Sequence, residues 1–300
     1  MSSPYISTLQ AAEALGVSVS TVKRWVDEGV LPAQRSPGGH RKLLRSEVMA
    51  LSREGVLPRA DQGKLILGTR DGGALDTDSV CTALVEVLLR GDAAAVRSLV
   101  RGAYDSGLPV QRLADLVIAP AMRRVGHDWQ TGRIDVWHEH RGTQLCAAAV
   151  HQLHAELEMR TERRRPVALG GALQGDPYQL ASSLAQLVLL DAGWEAVNLG
   201  PNTPFESLGK ALRELRPKLI WLSVSHVENA KEFLREYQSF ERFASHRGVA
   251  IAVGGQGLIE SVRSKMLYTT HGDCLSQLAA FARQLHPRPR RPRRGRPPNV

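Results

Sequence analysis

The sequence predicts a multidomain chain of three folded units: a small helix-and-hairpin unit, a helical bundle, and a doubly wound parallel α/β unit. Three observations carry this reading. Up to Arg160, apolar residues recur mostly at helical spacing. After the basic run Arg163-Arg164-Arg165 and Pro166, short apolar runs alternate with helical stretches of about 10–15 residues. The length of 300 residues is also too great for one core, at roughly 100–200 residues per domain. Hydrophobic residues make up 43 % and charged residues 23 %, a balance that supports folding rather than disorder. No apolar run reaches the ~18–20 residues that span a bilayer, and Met1-Ser2-Ser3-Pro4-Tyr5 lacks a signal-peptide pattern. The expectation is a soluble, cytoplasmic protein with no membrane partner. Cys81, Cys146 and Cys274 are isolated and odd in number, which argues against a disulfide scaffold or a local zinc motif. They are expected to be reduced core residues, with a thiol tether to a cofactor as the alternative.

The first unit is placed at residues 1–58. Ala11, Ala12 and Leu15 form a small-residue helix face, and Gly16 stands where a helix ends in a left-handed residue. Ser18 or Ser20 caps a second helix, which buries Val22 and Trp25 and exposes Thr21, Lys23 and Arg24. Two helices joined by a tight glycine turn, the second one basic, suit the major groove of double-stranded DNA. Gly29-Val30-Leu31-Pro32 and then Arg35-Ser36-Pro37-Gly38-Gly39-His40-Arg41-Lys42 read as a hairpin. Together these residues resemble the winged helix-turn-helix of the MerR family. The resemblance implies that Thr21, Lys23 and Arg24 face the groove of an operator. Arg35, His40 and Arg41 of the wing would approach its backbone or minor groove. Leu43 stands where an aromatic is usual, implying looser wing packing. The competing reading is a helical hairpin that docks protein.

Residues 59–77, with Gly63, Gly68, Gly72 and Gly73, read as a flexible linker. Residues 78–162 read as a bundle of four helices, with Val80, Leu84, Val87 and Leu88, then Val96, Leu99 and Val100, at helical spacing. Breaks are expected at Gly91-Asp92, Ser106-Gly107-Leu108-Pro109, and from Gly126 to Ile134.

Residues 163–286 form the doubly wound unit. Strands are expected at 167–169, 195–199, 219–223, 249–253 and near 267–269, with helices between them. The result is a five-stranded, flavodoxin-like parallel sheet covered on both faces. Ligands of such sheets bind beyond the carboxyl ends of the strands, so the loops at 171–178, 200–203, 223–227 and 254–258 are the ones to watch. The stretch 287–300 reads as a disordered basic tail. Arg288, Arg290, Arg291, Arg293, Arg294 and Arg296 contribute six of the whole chain's net +9 charges, so overall charge alone does not establish DNA binding.

Trp129, nine residues, then Glu139-His140 follow the helix ending Met122-Arg123-Arg124-Val125-Gly126. With the doubly wound unit behind it, this segment resembles the helical domain of CarH-type light-dependent repressors in the cobalamin-binding superfamily. The resemblance implies that Trp129 shields the adenosyl side of adenosylcobalamin, and that Glu139 and His140 approach it. A carboxylate can accept from both ribose hydroxyls. His127 and His138 are reserve ligands, and His151 and His154 are solvent or core residues. In the doubly wound unit the family's loop reads Asp or Glu, any residue, His, two more, Gly. Here Asp176 is kept, Tyr178 stands in place of the ligand His, and Ala181 replaces the Gly. Ser223-Val224-Ser225 resembles the stretch whose Ser lines a nucleotide-tail tunnel. Gly254-Gly255-Gln256-Gly257 resembles the turn that lets the tail approach backbone. Gln130 stands where such sensors can carry a second His.

The expectation from this resemblance is a DNA-binding transcriptional regulator, a light- or ligand-responsive repressor rather than an enzyme. A tetrapyrrole held between bundle and doubly wound unit would control a homo-oligomer, dimer or tetramer, and its operator binding. Adenosylcobalamin is favoured. A biliverdin-type bilin or haem is the alternative, with Tyr178 as a metal ligand only for haem. The rival enzyme reading is a corrinoid methyl carrier or mutase module, and a third reading is a degenerate sensor that only oligomerises or binds protein.

Overall fold

The computed structural model describes residues 5–35, 39–58, 60–67, 75–159 and 165–287. The chain divides into two compact units, Met1–Thr161 and Glu162–Val300, so the two helical regions expected as separate units lie in one. The expected basic tail lies outside the described residues from Arg288 onward, as do the wing tip at 36–38 and Gly68, Gly72 and Gly73 of the expected linker.

The first unit opens with β1 (Tyr5–Ser7), α1 (Thr8–Leu15) and α2 (Val19–Asp27). Ser7 and Gln10 form a reciprocal capping box at α1. Gly16 ends the helix at φ 66°, a conformation a side chain would strain. Ser18 rather than Ser20 caps α2, accepting from the Thr21 amide. Then come β2 (Ala33–Arg35), β3 (Arg41–Leu44) and α3 (Arg45–Arg53). The three strands pair antiparallel in the order β1-β3-β2. Leu43 is fully buried in the core of this unit with Ile6, Leu15, Val22, Leu31 and Val48. The wing strand is therefore anchored, and the looser packing expected from the missing aromatic is corrected.

A second correction concerns the linker. Residues 62–67 form a helix, α4 (Gln62–Leu67). Its Leu65 is fully buried in the same core as α1. The Asp61 amide bonds the Ala14 carbonyl at 2.7 Å, and Ser98 of the bundle donates to the Asp61 carboxylate. Gly63 lies against the Ser98 backbone so closely that a Cβ there would overlap it. The short apolar run Leu65-Ile66-Leu67 is too brief to show a period, so composition dominated the linker reading.

The bundle comprises α5 (Thr77–Arg90), α6 (Ala93–Asp105), α7 (Val110–Leu113), a π-helical turn (Ala114–Ile118), α8 (Ala119–Gln130) and α9 (Val136–Glu158). Because α7, the π turn and α8 run on without a break, the bundle has the four helical rods expected. Pro120 explains the wide turn. It has no amide to bond the Leu116 carbonyl and its ring crowds that carbonyl, so the Ala119 amide bonds Ala114 instead. The expected break at Gly126 is also corrected: α8 runs through it to Gln130, and the turn occupies 131–135.

The second unit runs β4 (Val167–Ala172), α10 (Leu180–Asp191), β5 (Glu195–Asn198), α11 (Phe205–Leu215), β6 (Leu219–Ser223), α12 (Ala230–Ser245), β7 (Ala250–Gly254), α13 (Glu260–Arg263), β8 (Thr270–Gly272) and α14 (Leu275–Leu285). The strands are all parallel, in the order β5-β4-β6-β7-β8, as the doubly wound expectation requires. Ile220, Leu222, Tyr237 and Phe240 belong to the core on the face covered by α11 and α12. Trp194, Trp221, Leu189 and Ala282 pack on the other face, beneath α10 and α14. The fifth strand begins at Thr270, where Ala252 pairs with it, rather than at 267–269; Leu267 and Tyr268 are exposed. Cys81 and Cys146 are buried as expected, but Cys274 is exposed just before α14, and all are free. Burial pushes the Cys146 thiol up to about 12, which leaves it inert. No helix among the described residues is long and apolar enough to cross a membrane.

Candidate functional site

The helix-turn-helix exposes Lys23 and Arg24 on α2, while Thr21 is half-buried. The Thr21 hydroxyl is engaged 2.8 Å from that of Ser18 in the cap. Among the described residues Arg24 makes a loose, exposed contact of 3.9 Å with Glu28 one turn on, an interaction worth little in water. Trp25, expected to be buried, is half-buried against the core. Arg35 and His40 are exposed on the wing. Arg41 is placed differently from them. Its guanidinium lies 2.5 Å from the Asp27 carboxylate at the end of α2, so it ties the wing strand to that helix. The sequence reading missed Asp27 because a single acidic residue on a basic helix carries no signal of its partner.

At one end of the bundle, Trp129 in the last turn of α8 and Glu139 and His140 in the first turns of α9 are separated in sequence by a short turn. Trp129 is 43 % exposed. The neighbouring Trp137, which the sequence reading passed over, is 52 % exposed and stacks on His138 with centroids 3.5 Å apart. The Arg141 guanidinium lies 4.8 Å from the Trp137 ring centroid and donates to the Leu89 carbonyl, which holds it in place. Both Glu139 carboxylate oxygens have partners: His140 Nδ1 at 2.6 Å and the Thr143 hydroxyl at 2.8 Å. His138 Nδ1 is buried without a hydrogen-bond partner among the described residues. His127 and His151 are exposed and His154 is half-buried. Indoles left in water at the end of a helical bundle suit a flat apolar group.

At the carboxyl edge of the sheet the loops after β4 and β6 meet at the topological switch point. Asp176 is fully buried there. It accepts from the amides of Tyr178 at 3.0 Å, His226 at 3.2 Å and Ser225. Its carboxylate therefore stitches the two loops together. Tyr178 is 60 % exposed. Ser223 is buried and Ser225 half-buried. The glycine turn is packed against the chain's own backbone: a Cβ on Gly254 would meet the Gly272 carbonyl, and one on Gly255 would meet that of Val224. Those glycines admit the chain's own backbone. The bundle end thus offers an exposed indole to the face of a tetrapyrrole ring.

Two features define the class of chain: a helix-turn-helix unit, and a helical region of the kind that binds B12. Residues 5–65 match the family described as a helix-turn-helix domain, and residues 80–154 match the one described as a B12 binding domain. The particular likeness is to the HTH-type transcriptional repressor CarH of Myxococcus xanthus, at 27 % identity over 263 residues, covering 82 % of this chain and 87 % of that protein. Dimethylamine corrinoid protein 2 of Methanosarcina acetivorans is 24 % identical over 175 residues, covering 56 % of this chain and 78 % of that one. The solved monomethylamine corrinoid protein of Methanosarcina barkeri shares the fold, with a TM-score of 0.58 at 16 % identity, covering 70 % of this chain and 99 % of that one. Along this chain the helix-turn-helix match precedes the B12 binding match.

Proposed function

We propose that this chain is a cytoplasmic, DNA-binding transcriptional repressor that senses a cobalamin, with adenosylcobalamin as the form it reads. The observation that carries the reading is a helix-turn-helix sharing a packed helix, α4, with a bundle whose end exposes Trp129 and, in the first turns of α9, holds Glu139 against His140 and Thr143. The likeness to the CarH repressor supports it. When bound, adenosylcobalamin supplies a cobalt–carbon bond that light can break. Trp129 would cover the ring face and exclude water, and Glu139 is held by His140 and Thr143 in one orientation. Lys23 and Arg24 read the operator, with Arg35 and His40 on its backbone. Cofactor state shifts a homo-oligomer, dimer or tetramer, and thereby operator affinity, since both equilibria share one free energy.

The corrinoid methyl-carrier relatives suggest an enzyme module instead, but the helix-turn-helix match at 5–65 favours a regulator. A second reading, with a biliverdin-type bilin or haem in the same place, is favoured by Tyr178, exposed where a corrinoid's lower His would stand. An absorption spectrum of the purified protein separates corrin, Soret and bilin bands. The functional test uses a duplex selected by the protein from random sequences. Binding and light scattering are measured with adenosylcobalamin in the dark and after illumination. DNA affinity and assembly that both ignore cofactor and light would overturn the regulator reading.

A further inference from the structure

Across the middle of the sheet, Asn198, Gly170, Trp221, Ala252 and Thr270 stand side by side in register. Trp221 points toward α10 and α14, where it packs among Ala185, Leu189, Leu278 and Ala282, and it is 2 % exposed. Its small neighbours make room for it. A Cβ on Gly170 would sit inside the indole, and Ala252 flanks the other side. The indole is also locked by polar contacts. Its N–H donates to Ser182 Oγ of α10 at 3.1 Å, and that hydroxyl lies 3.0 Å from Asn198 Oδ1. The whole residue is thus satisfied, buried and held from the sheet, the helix and the neighbouring strand.

Ser223 follows Trp221 by two residues on the same strand, so both face α10 and α14. The row holding Ser223 also contains Ala172, Gly254 and Gly272. It is a row of small residues, shallow because one same-face step along a strand covers only about 6.6 Å. Below it the indole closes the floor. A nucleoside is longer than that step, and entering would require expelling a tryptophan that fills its own space with a satisfied N–H.

We infer that Trp221 is a specificity-determining residue: it denies the sheet unit any buried seat for a nucleotide tail, so the chain selects a tetrapyrrole by its ring and upper face alone. This rests on the cobalamin reading. The chemical consequence is that a corrinoid lacking its nucleotide serves as well as a complete one.

The full-length protein is titrated in the dark with adenosylcobalamin and with adenosylcobinamide, which has the same ring and upper face but no nucleotide. Binding is followed by corrin absorbance and tryptophan quenching. The wild type should bind the two within about threefold. Trp221→Phe should keep that ratio, because the ring still blocks the row. Trp221→Val, which opens the floor, should shift the ratio at least ~tenfold toward adenosylcobalamin. A wild type that prefers adenosylcobalamin by that much overturns the inference, as does a folded Trp221→Val protein with an unchanged ratio. If Trp221→Val does not fold, the wild-type ratio decides alone. Failure of the cobalamin reading looks different: neither corrinoid binds to any of the proteins, and the inference falls with it.

Discussion

Asp176 offers a test that separates a structural carboxylate from a ligand-binding one. It is fully buried, and one oxygen accepts from the Tyr178 amide while the other accepts from Ser225 and His226. Asp176→Ala leaves these amides without their acceptor. Each unsatisfied buried amide costs about 1–3 kcal/mol. The Tyr178 amide sits in a loop beside an exposed side chain and can recover a water, so the expected total is about 3–5 kcal/mol rather than the full sum. Asp176→Asn keeps one carbonyl oxygen for the Ser225 and His226 pair and turns an NH2 toward Tyr178, so it should cost about 1–3 kcal/mol. Urea unfolding followed by the fluorescence of Trp194 and Trp221, both buried in the second unit, reads the loss for that unit. Hydrogen exchange of the protein without added ligand should show the amides at 178, 225 and 226 losing protection. A ligand-binding carboxylate would instead leave ligand-free stability intact and weaken cofactor affinity. An Asp176→Ala protein within about 0.5 kcal/mol of wild type, with unchanged exchange, would refute the stitching role.

Three further outcomes are expected. Arg24→Ala should weaken operator binding by about 1–3 kcal/mol and relax specificity at one base, with little effect on stability because the side chain is exposed; unchanged binding by a Lys23→Ala, Arg24→Ala double variant would sink the assignment. Leu65→Ala should destabilise the first unit by about 2–5 kcal/mol, as for other fully buried leucines, whereas an unchanged urea midpoint would return residues 62–67 to a mere tether. Burial holds the His154 imidazole below its ordinary value of 6.5, against the opposing pull of Glu158 and with help from His151. Its contribution to bundle stability is therefore full above that value and is lost as the pH falls, so His154→Leu should flatten the decline in thermal midpoint between about pH 7 and pH 5; an identical decline in both proteins would remove His154 from the account.

What the sequence made legible follows from length scales. The helix-turn-helix could be read because its grammar is local: Ser18 and Gly16 act within one turn of their own helices. The alternation of strands and helices in the second unit was equally plain, and β6 at 219–223 matches its expected span residue for residue. Short elements with long-range partners were not legible. Helix α4 is stabilised by Ala14 and Ser98, far away in sequence, and no local periodicity announces it. The same holds at the site. Trp129, Glu139 and His140 stand out only through their resemblance to a family signature, and Trp137, two residues before Glu139, has no place in it. Asp176 was found by its motif position, yet motif position carries no information on which way a carboxylate turns. Trp221 sat in a strand whose apolar run reads the same with any large residue, so its role emerges only from the glycine beside it.

The short helix α4 has a consequence for how operators can be arranged. A reading head on a slack tether samples many positions, and its partner heads tolerate almost any separation between their target sites. A head seated on its bundle through Leu65, Asp61 and Gly63 carries a fixed bearing. In any assembly of this chain, the angle between two bundles then becomes the angle between two recognition helices. For such an assembly the target sites are expected on the same face of the double helix, in phase with its turn of about 10.5 base pairs. Inserting half a turn between them should be tolerated far less well than inserting a whole one.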